Sequence, residues 1–169
     1  MQAFTPEYNP DKLKAKASQQ KKETKLLFKK LKKRKPKSLD EFVNKLHEEV
    51  FQKIDCLACA NCCRGLGPRL SEQDIRRLSK FLKIKPKEFE DNYLRIDEEN
   101  DWVFKEMPCP FLMDDNKCFV YEYRPKACRD YPHTDRKKYY QILNLGIKNA
   151  EVCPAVLYVN EAILEEYRS

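Results

Sequence analysis

Cys56-Leu57-Ala58-Cys59-Ala60-Asn61-Cys62-Cys63 places four of the chain's eight cysteines within eight consecutive positions. A disulfide needs particular Cα separations and Cβ directions, and neighbours at this spacing pair poorly. Thiolates are soft ligands that suit zinc and iron–sulfur clusters and do not suit magnesium or calcium. In a Cys-x-x-Cys loop both sulfurs can point at one metal while the intervening amides approach them. Cys56, Cys59 and Cys62 form two such loops that overlap, so three sulfurs can converge from one tight turn. Zinc sites usually take two ligands from each of two separated knuckles. The triple run instead matches the three-ligand loop of 4Fe–4S ferredoxins, which a distant Cys followed by Pro completes. Cys109-Pro110 and Cys153-Pro154 both offer that pair. The spacing therefore favours an iron–sulfur cluster, with zinc as the alternative.

Cys63 directly follows Cys62, and adjacent side chains diverge. It either ligates a second metal, hydrogen-bonds to the first set, or is a separate redox thiol. Eight thiols suffice for two four-ligand centres. Gly65 and Gly67, two of the three glycines in the chain, predict tight backbone turns beside the run.

Outward from the run, the texture is mainly helical. Ser38 with Glu41 three residues on predicts a capped helix carrying Leu39, Phe42, Val43, Leu46 and Val50 on one face and delivering the chain into Cys56. Ser71 and Asp74 predict a second start, with Ile75, Leu78 and Leu82 buried. Pro86 suits the first position of a third helix, with Phe89, Tyr93 and Leu94 inward. Trp102–Phe104, Cys118–Tyr121 after the 114–117 turn, and Tyr139–Leu143 read as short strands. Cys153-Pro154 opens a C-terminal helix packed through Val156, Leu157, Ile163 and Leu164. The expected fold is α+β, mainly helical, with short strands and loops organised around a cysteine-ligated metal centre.

Charge divides the chain. Residues 12–37 hold thirteen Lys/Arg against Glu23 alone, whereas residues 38–169 hold 21 basic and 24 acidic side chains. Two segments follow: a basic N-terminal tail or helix over 1–37 and a cysteine-cluster domain over 38–169. Leu27 and Leu31 give the basic segment helical potential, yet an isolated helix so charged is marginal in water and is expected to fray. As a functional arm it would attract an acidic partner or nucleic acid by releasing phosphate counterions. A membrane-surface helix is the third reading.

No apolar run reaches the roughly 18–20 residues that span a bilayer, and the first thirty residues lack the pattern of a secretory signal. A cytoplasmic location is expected, where thiols stay reduced. Two histidines complete the ligand inventory. His133, five residues after Cys128, is a candidate fourth ligand, and His47 is expected at the surface. Arg124 and Arg129 flank Cys128, either to neutralise thiolates or to form salt bridges with the acidic body. Tyr121, Tyr123, Tyr131, Tyr139 and Tyr140 are expected to pack around the site. There is no Walker loop, paired-carboxylate signature or Ser/His/Asp set.

Cys109-Pro110-Phe111-Leu112, Cys118-Phe119-Val120-Tyr121 and Arg124-Pro125-x-x-Cys128-Arg129-x-Tyr131-Pro132, in this order after the Cys56–Cys63 run, resemble the CxxCxxCC (YkgJ-like) cysteine-cluster family. The resemblance spans Cys56 to Pro154. It implies zinc or iron chelation, with Cys56, Cys59, Cys62, Cys63, Cys109, Cys118, Cys128 and Cys153 all on the family's motif positions. Where the family commonly has Gly after the double cysteine, Arg64 intervenes here. The chain is more distantly similar to the cysteine-cluster part of flagellin lysine N-methylase, which implies an alternative role as a cluster-assisted group-transfer enzyme. With three glycines in all, a Rossmann-type methyl-donor loop is excluded. A zinc-stabilised nucleic-acid adaptor using the basic arm is the remaining alternative. Whether the protein is an enzyme, and its oligomeric state, are left open by the residues.

Overall fold

The computed structural model describes residues 6–168. In chain order the elements are α1 (Pro10–Arg34), α2 (Ser38–Phe51), α3 (Cys56–Cys59), α4 (Asn61–Gly65), α5 (Glu72–Leu82), α6 (Pro86–Tyr93), β1 (Leu94–Ile96), β2 (Trp102–Phe104), α7 (Lys126–Asp130), α8 (Leu143–Asn149) and α9 (Pro154–Tyr167). Short 3₁₀ turns occupy Tyr121–Tyr123 and Tyr139–Gln141. The mainly helical α+β expectation holds. The chain folds as two compact units, one built from the chain up to Cys59 and from Pro132 onward, the other from Ala60–Tyr131.

The first unit is helical and centred on α9. Val156, Leu157, Val159, Ala162, Ile163 and Leu164 are buried along it, so apolar side chains surround the helix and neighbours must cover it on several sides. One of those neighbours is α1. Asn9 caps it by accepting the amides of Asp11 (3.1 Å) and Lys12 (3.0 Å), Pro10 takes the first position, and a left-handed Lys35 (φ 48°) ends it. Leu13, Ala17, Phe28 and Leu31 recur at helical spacing and are buried against α8 and α9. The basic segment therefore docks instead of standing free in solvent, because its apolar stripe is part of the unit's core. Phe28 and Leu31 pack with Leu39, Val43, Leu143, Ile163 and their neighbours.

Two local expectations are corrected here. Ser38 lies within α2 and makes no capping bond; its hydroxyl lies 3.1 Å from the Tyr167 hydroxyl. Tyr139–Leu143 is not a strand. The Asp40 carboxylate accepts the amides of Lys138 (2.6 Å) and Tyr139 (2.8 Å), winding the chain into a turn that leads into α8 and buries the Tyr139 ring.

The second unit has its own core, formed by Leu70, Ile75, Leu78, Phe89, Leu94, Phe104, Phe111 and Val120. Ser71 and Asp74 make the anticipated capping box at α5, and Pro86 opens α6. β1 and β2 pair antiparallel, Leu94 opposite Phe104 and Ile96 opposite Trp102. The strand expected over Cys118–Tyr121 is reduced to one bridge, Leu112 opposite Cys118. Only Val120 is buried there, while Phe119 and Tyr121 are exposed, so the segment has little apolar surface to hold a ladder and turns away after one rung. Gly65 and Gly67 do not have positive φ. The left-handed residue near the cysteine run is Ala60 (φ 48°), which breaks the helical path between Cys59 and Asn61. No helix among the described residues is long and apolar enough to cross a membrane.

Candidate metal centre

All eight cysteines are free thiols. In the first unit, α3 carries Cys56, which is exposed, and Cys59, which is half-buried. Cys153 lies immediately before α9, where Pro154 sets the first helical position, and it packs against the cluster of Leu13, Ala17, Ala150, Val156 and Leu157. Amides at the start of α9, from Ala155 and Val156, donate to the Cys153 sulfur. Burial nonetheless pushes this thiol up to about 12, and the neighbouring Cys56 and Cys59 add to the rise, because a thiolate beside other thiolates is repelled. These three sulfurs therefore share one electrostatic neighbourhood.

The second unit gathers the others. Cys62 and Cys63 lie on α4 with their sulfurs 3.9 Å apart. A hydrogen bond from Cys62 lowers Cys63 to about 7; burial opposes the shift and the Arg64 guanidinium assists it. The Cys109 amide donates to the Cys63 carbonyl at 2.8 Å, so the Cys109-Pro110 turn is tied to α4 through the backbone. The amides of Phe111 and Leu112 point at the Cys109 sulfur, and that of Val120 at the Cys118 sulfur. Burial raises Cys109 to about 11 and Cys128 to about 12, and it raises Cys118 as well. In each case mutual repulsion among Cys63, Cys109, Cys118 and Cys128 adds to the burial. Arg124 works in the opposite direction on Cys118 and Cys128.

This pattern suits a thiolate-bound cation. Amide N–H groups directed at sulfur stabilise the deprotonated form, and a bound cation would offset both the burial and the lesser repulsion that keep the thiols protonated. As the side chains stand, no group of three or more Cys, His, Asp or Glu among the described residues is closed enough to hold a metal ion. Ligation would draw the sulfurs together.

Sequence reasoning did not single out the support beneath Cys128. Asp74, 2% exposed, accepts the Arg77 guanidinium at 2.6 Å and the Lys126 amide at 3.0 Å. Arg77 also donates to the carbonyls of Tyr123 (3.2 Å) and Arg124 (2.9 Å). The pair thus fixes the backbone that starts α7 and presents Cys128. Burial alone would raise the Asp74 carboxyl, but hydrogen bonds from Ser71, Arg77 and Lys126 hold it below its ordinary range. Asp74 was visible in the sequence only as a capping residue.

The remaining candidates sort clearly. Arg124 and Arg129 direct their hydrogen bonds to backbone carbonyls, and Arg124 also lies 3.8 Å from the Tyr121 ring centroid. Arg64 bonds to Asn116 in the 114–117 turn. His47 is half-buried rather than at the surface, its Nδ1 2.7 Å from the Thr134 hydroxyl. His133 has a left-handed backbone (φ 67°) and belongs to the unit that carries Cys153. Tyr139 sits in the first unit's core, with Tyr140 packed against it, and Tyr123 stacks on Phe81 at 4.4 Å; Tyr121 and Tyr123 are exposed.

No solved structure matches the chain. A family model does match, over residues 55–154, and its description is "CxxCxxCC: Putative zinc- or iron-chelating domain". The matched span begins one residue before Cys56 and ends one after Cys153, taking in every thiol described above. The chain belongs to the CxxCxxCC family.

Proposed function

We propose that this protein is a thiolate metal-binding protein that holds an iron–sulfur cluster in preference to zinc, and that the centre serves first to structure the loops that bear the ligands. The observation that carries this reading is the grouping of Cys63, Cys109, Cys118 and Cys128. Cys63 lies close enough to raise the pKa of Cys109, Cys118 and Cys128, backbone amides reach Cys109 and Cys118, and Arg124 lies beside Cys118 and Cys128. Those four would hold one centre, and Cys56, Cys59 and Cys153 are the thiols from which a second would draw. An all-thiolate set suits zinc and iron–sulfur alike, and the preference for iron–sulfur comes from the Cys56-x-x-Cys59-x-x-Cys62 spacing rather than from these four thiols.

A structural role follows from how little else holds the ligand-bearing segment. Between Phe104 and Lys126 the regular backbone pairing consists of one bridge and one 3₁₀ turn. Phe111 and Val120 anchor the segment in the core, and metal binding would add folding free energy to the loops between them, so that removing a ligand removes both. When bound, an iron–sulfur cluster would also supply a one-electron redox couple.

Anaerobically purified protein tests this reading. Broad absorption near ~400 nm with iron and acid-labile sulfide is expected. Serine in place of Cys63, Cys109, Cys118 or Cys128 should each remove metal and lower the unfolding midpoint. Colourless protein holding zinc without sulfide rejects the iron–sulfur assignment. Unchanged metal content in all four variants rejects the ligand set.

A further inference from the structure

The outer face of α1 is independent of the thiols. Leu13, Ala17, Thr24, Phe28 and Leu31 mark its buried side. At 100° per residue, Lys22, Lys25, Lys29 and Lys33 fall on the opposite side, and all four are exposed. They form a ladder at i, i+3, i+7 and i+11, about 16 Å long at 1.5 Å per residue. Exposed Lys14 and Lys30 widen it, and exposed Leu26 lies among the lysines. Beyond the first turn the one acid on α1 is Glu23, and Arg168 takes it at 2.8 Å. Lys21, on the flank, is bound to Glu151. None of the four ladder lysines has an ion-pair partner among the described residues.

We propose that this face binds the phosphodiester backbone of nucleic acid. Docking of α1 removes the membrane alternative, because an interfacial helix must bury an apolar face in lipid and this apolar face is already in the core. An acidic protein surface presents discrete carboxylates, which the planar fork of arginine recognises best. The ladder is made entirely of lysine, a point charge on a flexible stem, repeated at every turn. That pattern complements a uniform line of phosphates and carries no means of reading bases. Binding is therefore independent of sequence and driven by counterion release.

The test uses the full, metal-loaded chain and fluorescence anisotropy with a short labelled single-stranded RNA and a labelled DNA duplex. Affinity should fall steeply between about 50 and 200 mM salt. Combined Lys22→Gln, Lys25→Gln, Lys29→Gln and Lys33→Gln should weaken binding at low salt at least tenfold and flatten the salt slope by up to ~0.9 for each phosphate no longer neutralised. A control with the same charge change, Lys45→Gln, Lys53→Gln, Lys85→Gln and Lys137→Gln, should leave both nearly intact. Circular dichroism and metal content should match wild type in both variants, since every substituted side chain is exposed. Absence of binding at low salt overturns the proposal. So does equal weakening by the control set, or competition by poly-glutamate or anionic vesicles as strong as that by unlabelled RNA.

Discussion

The carboxylate of Asp74 accepts the backbone amide of Lys126 at 3.0 Å, joining the first turn of α5 to the first turn of the helix that carries Cys128. Arg77 adds bonds to the carbonyls of Tyr123 and Arg124 just before that helix, and the Asp74 contact is buried at its acceptor end.

Asp74→Ala should therefore act on both stability and metal retention. It leaves the Lys126 amide, the Ser71 hydroxyl and the Arg77 guanidinium without their shared acceptor. Buried groups left unsatisfied cost about 1–3 kcal/mol each, and Arg77 is only partly buried, so a loss of about 2–4 kcal/mol is expected. Urea unfolding of the metal-free protein reads the stability, and chelator competition reads the metal. Loss of stability with unchanged metal affinity would separate Asp74 from the Cys128 site. Because the Asp74 carboxyl is held below its ordinary range, its contribution is present above that range and disappears as pH falls through its lowered value.

Cys63 should be far more reactive than Cys109 and Cys128 in the metal-free protein. Its pKa of about 7 contrasts with about 11 for Cys109 and about 12 for Cys128. Iodoacetamide followed by peptide mapping at pH 7 should label Cys63 ahead of those two, with a rate midpoint near pH 7. Cys62→Ala removes the main hydrogen bond lowering the pKa and should move that midpoint toward the ordinary value near 9. A midpoint unaffected by the substitution would assign the shift to Arg64.

The sequence made the elements with strong local signals legible. The Ser71–Asp74 box, Pro86 and Pro154 each opened a helix where capping chemistry requires one. The family membership was legible for the same reason, since thiol spacing is local. Other features depended on partners far along the chain. Tyr139 has strand-like neighbours, but a carboxylate 99 residues earlier, Asp40, winds it into a turn. Ser38 looks like a cap, yet its hydroxyl meets Tyr167. The basic composition of α1 concealed a five-residue buried stripe, because charge on one face says nothing about the other. The grouping of Cys63 with Cys109, Cys118 and Cys128 requires the folded path of three loops, and no spacing rule contains it.

That buried stripe predicts that α1 is integral to its unit. Phe28 is fully buried, and Phe28→Ala should cost about 3–5 kcal/mol through reduced burial and the cavity left behind. Lys29→Ala, one residue on and exposed, should change stability by less than about 0.5 kcal/mol. Deletion of residues 1–37 should consequently unfold the helical unit instead of trimming a tail. A truncated protein with native circular dichroism and a cooperative transition at the wild-type midpoint would refute this.

The thiols with raised pKa values give metal-free and metal-loaded protein opposite responses to alkali. In the metal-free fold, Cys109, Cys128 and Cys153 are held protonated, while in the unfolded chain they ionise near 9. A group whose folded pKa lies above its unfolded one contributes stability that is complete below about 9 and is lost as pH rises toward 11–12. The urea midpoint of reduced, metal-free protein should therefore fall between pH 8 and pH 10, and Cys128→Ser should make that fall shallower. On the proposed assignment the same thiols bind metal in their ionised form, so raising pH through this window should favour retention and lowering it should favour release. Metal-loaded protein should hold its midpoint where the metal-free form loses stability. Parallel decline of the two forms would mean that these cysteines do not ligate.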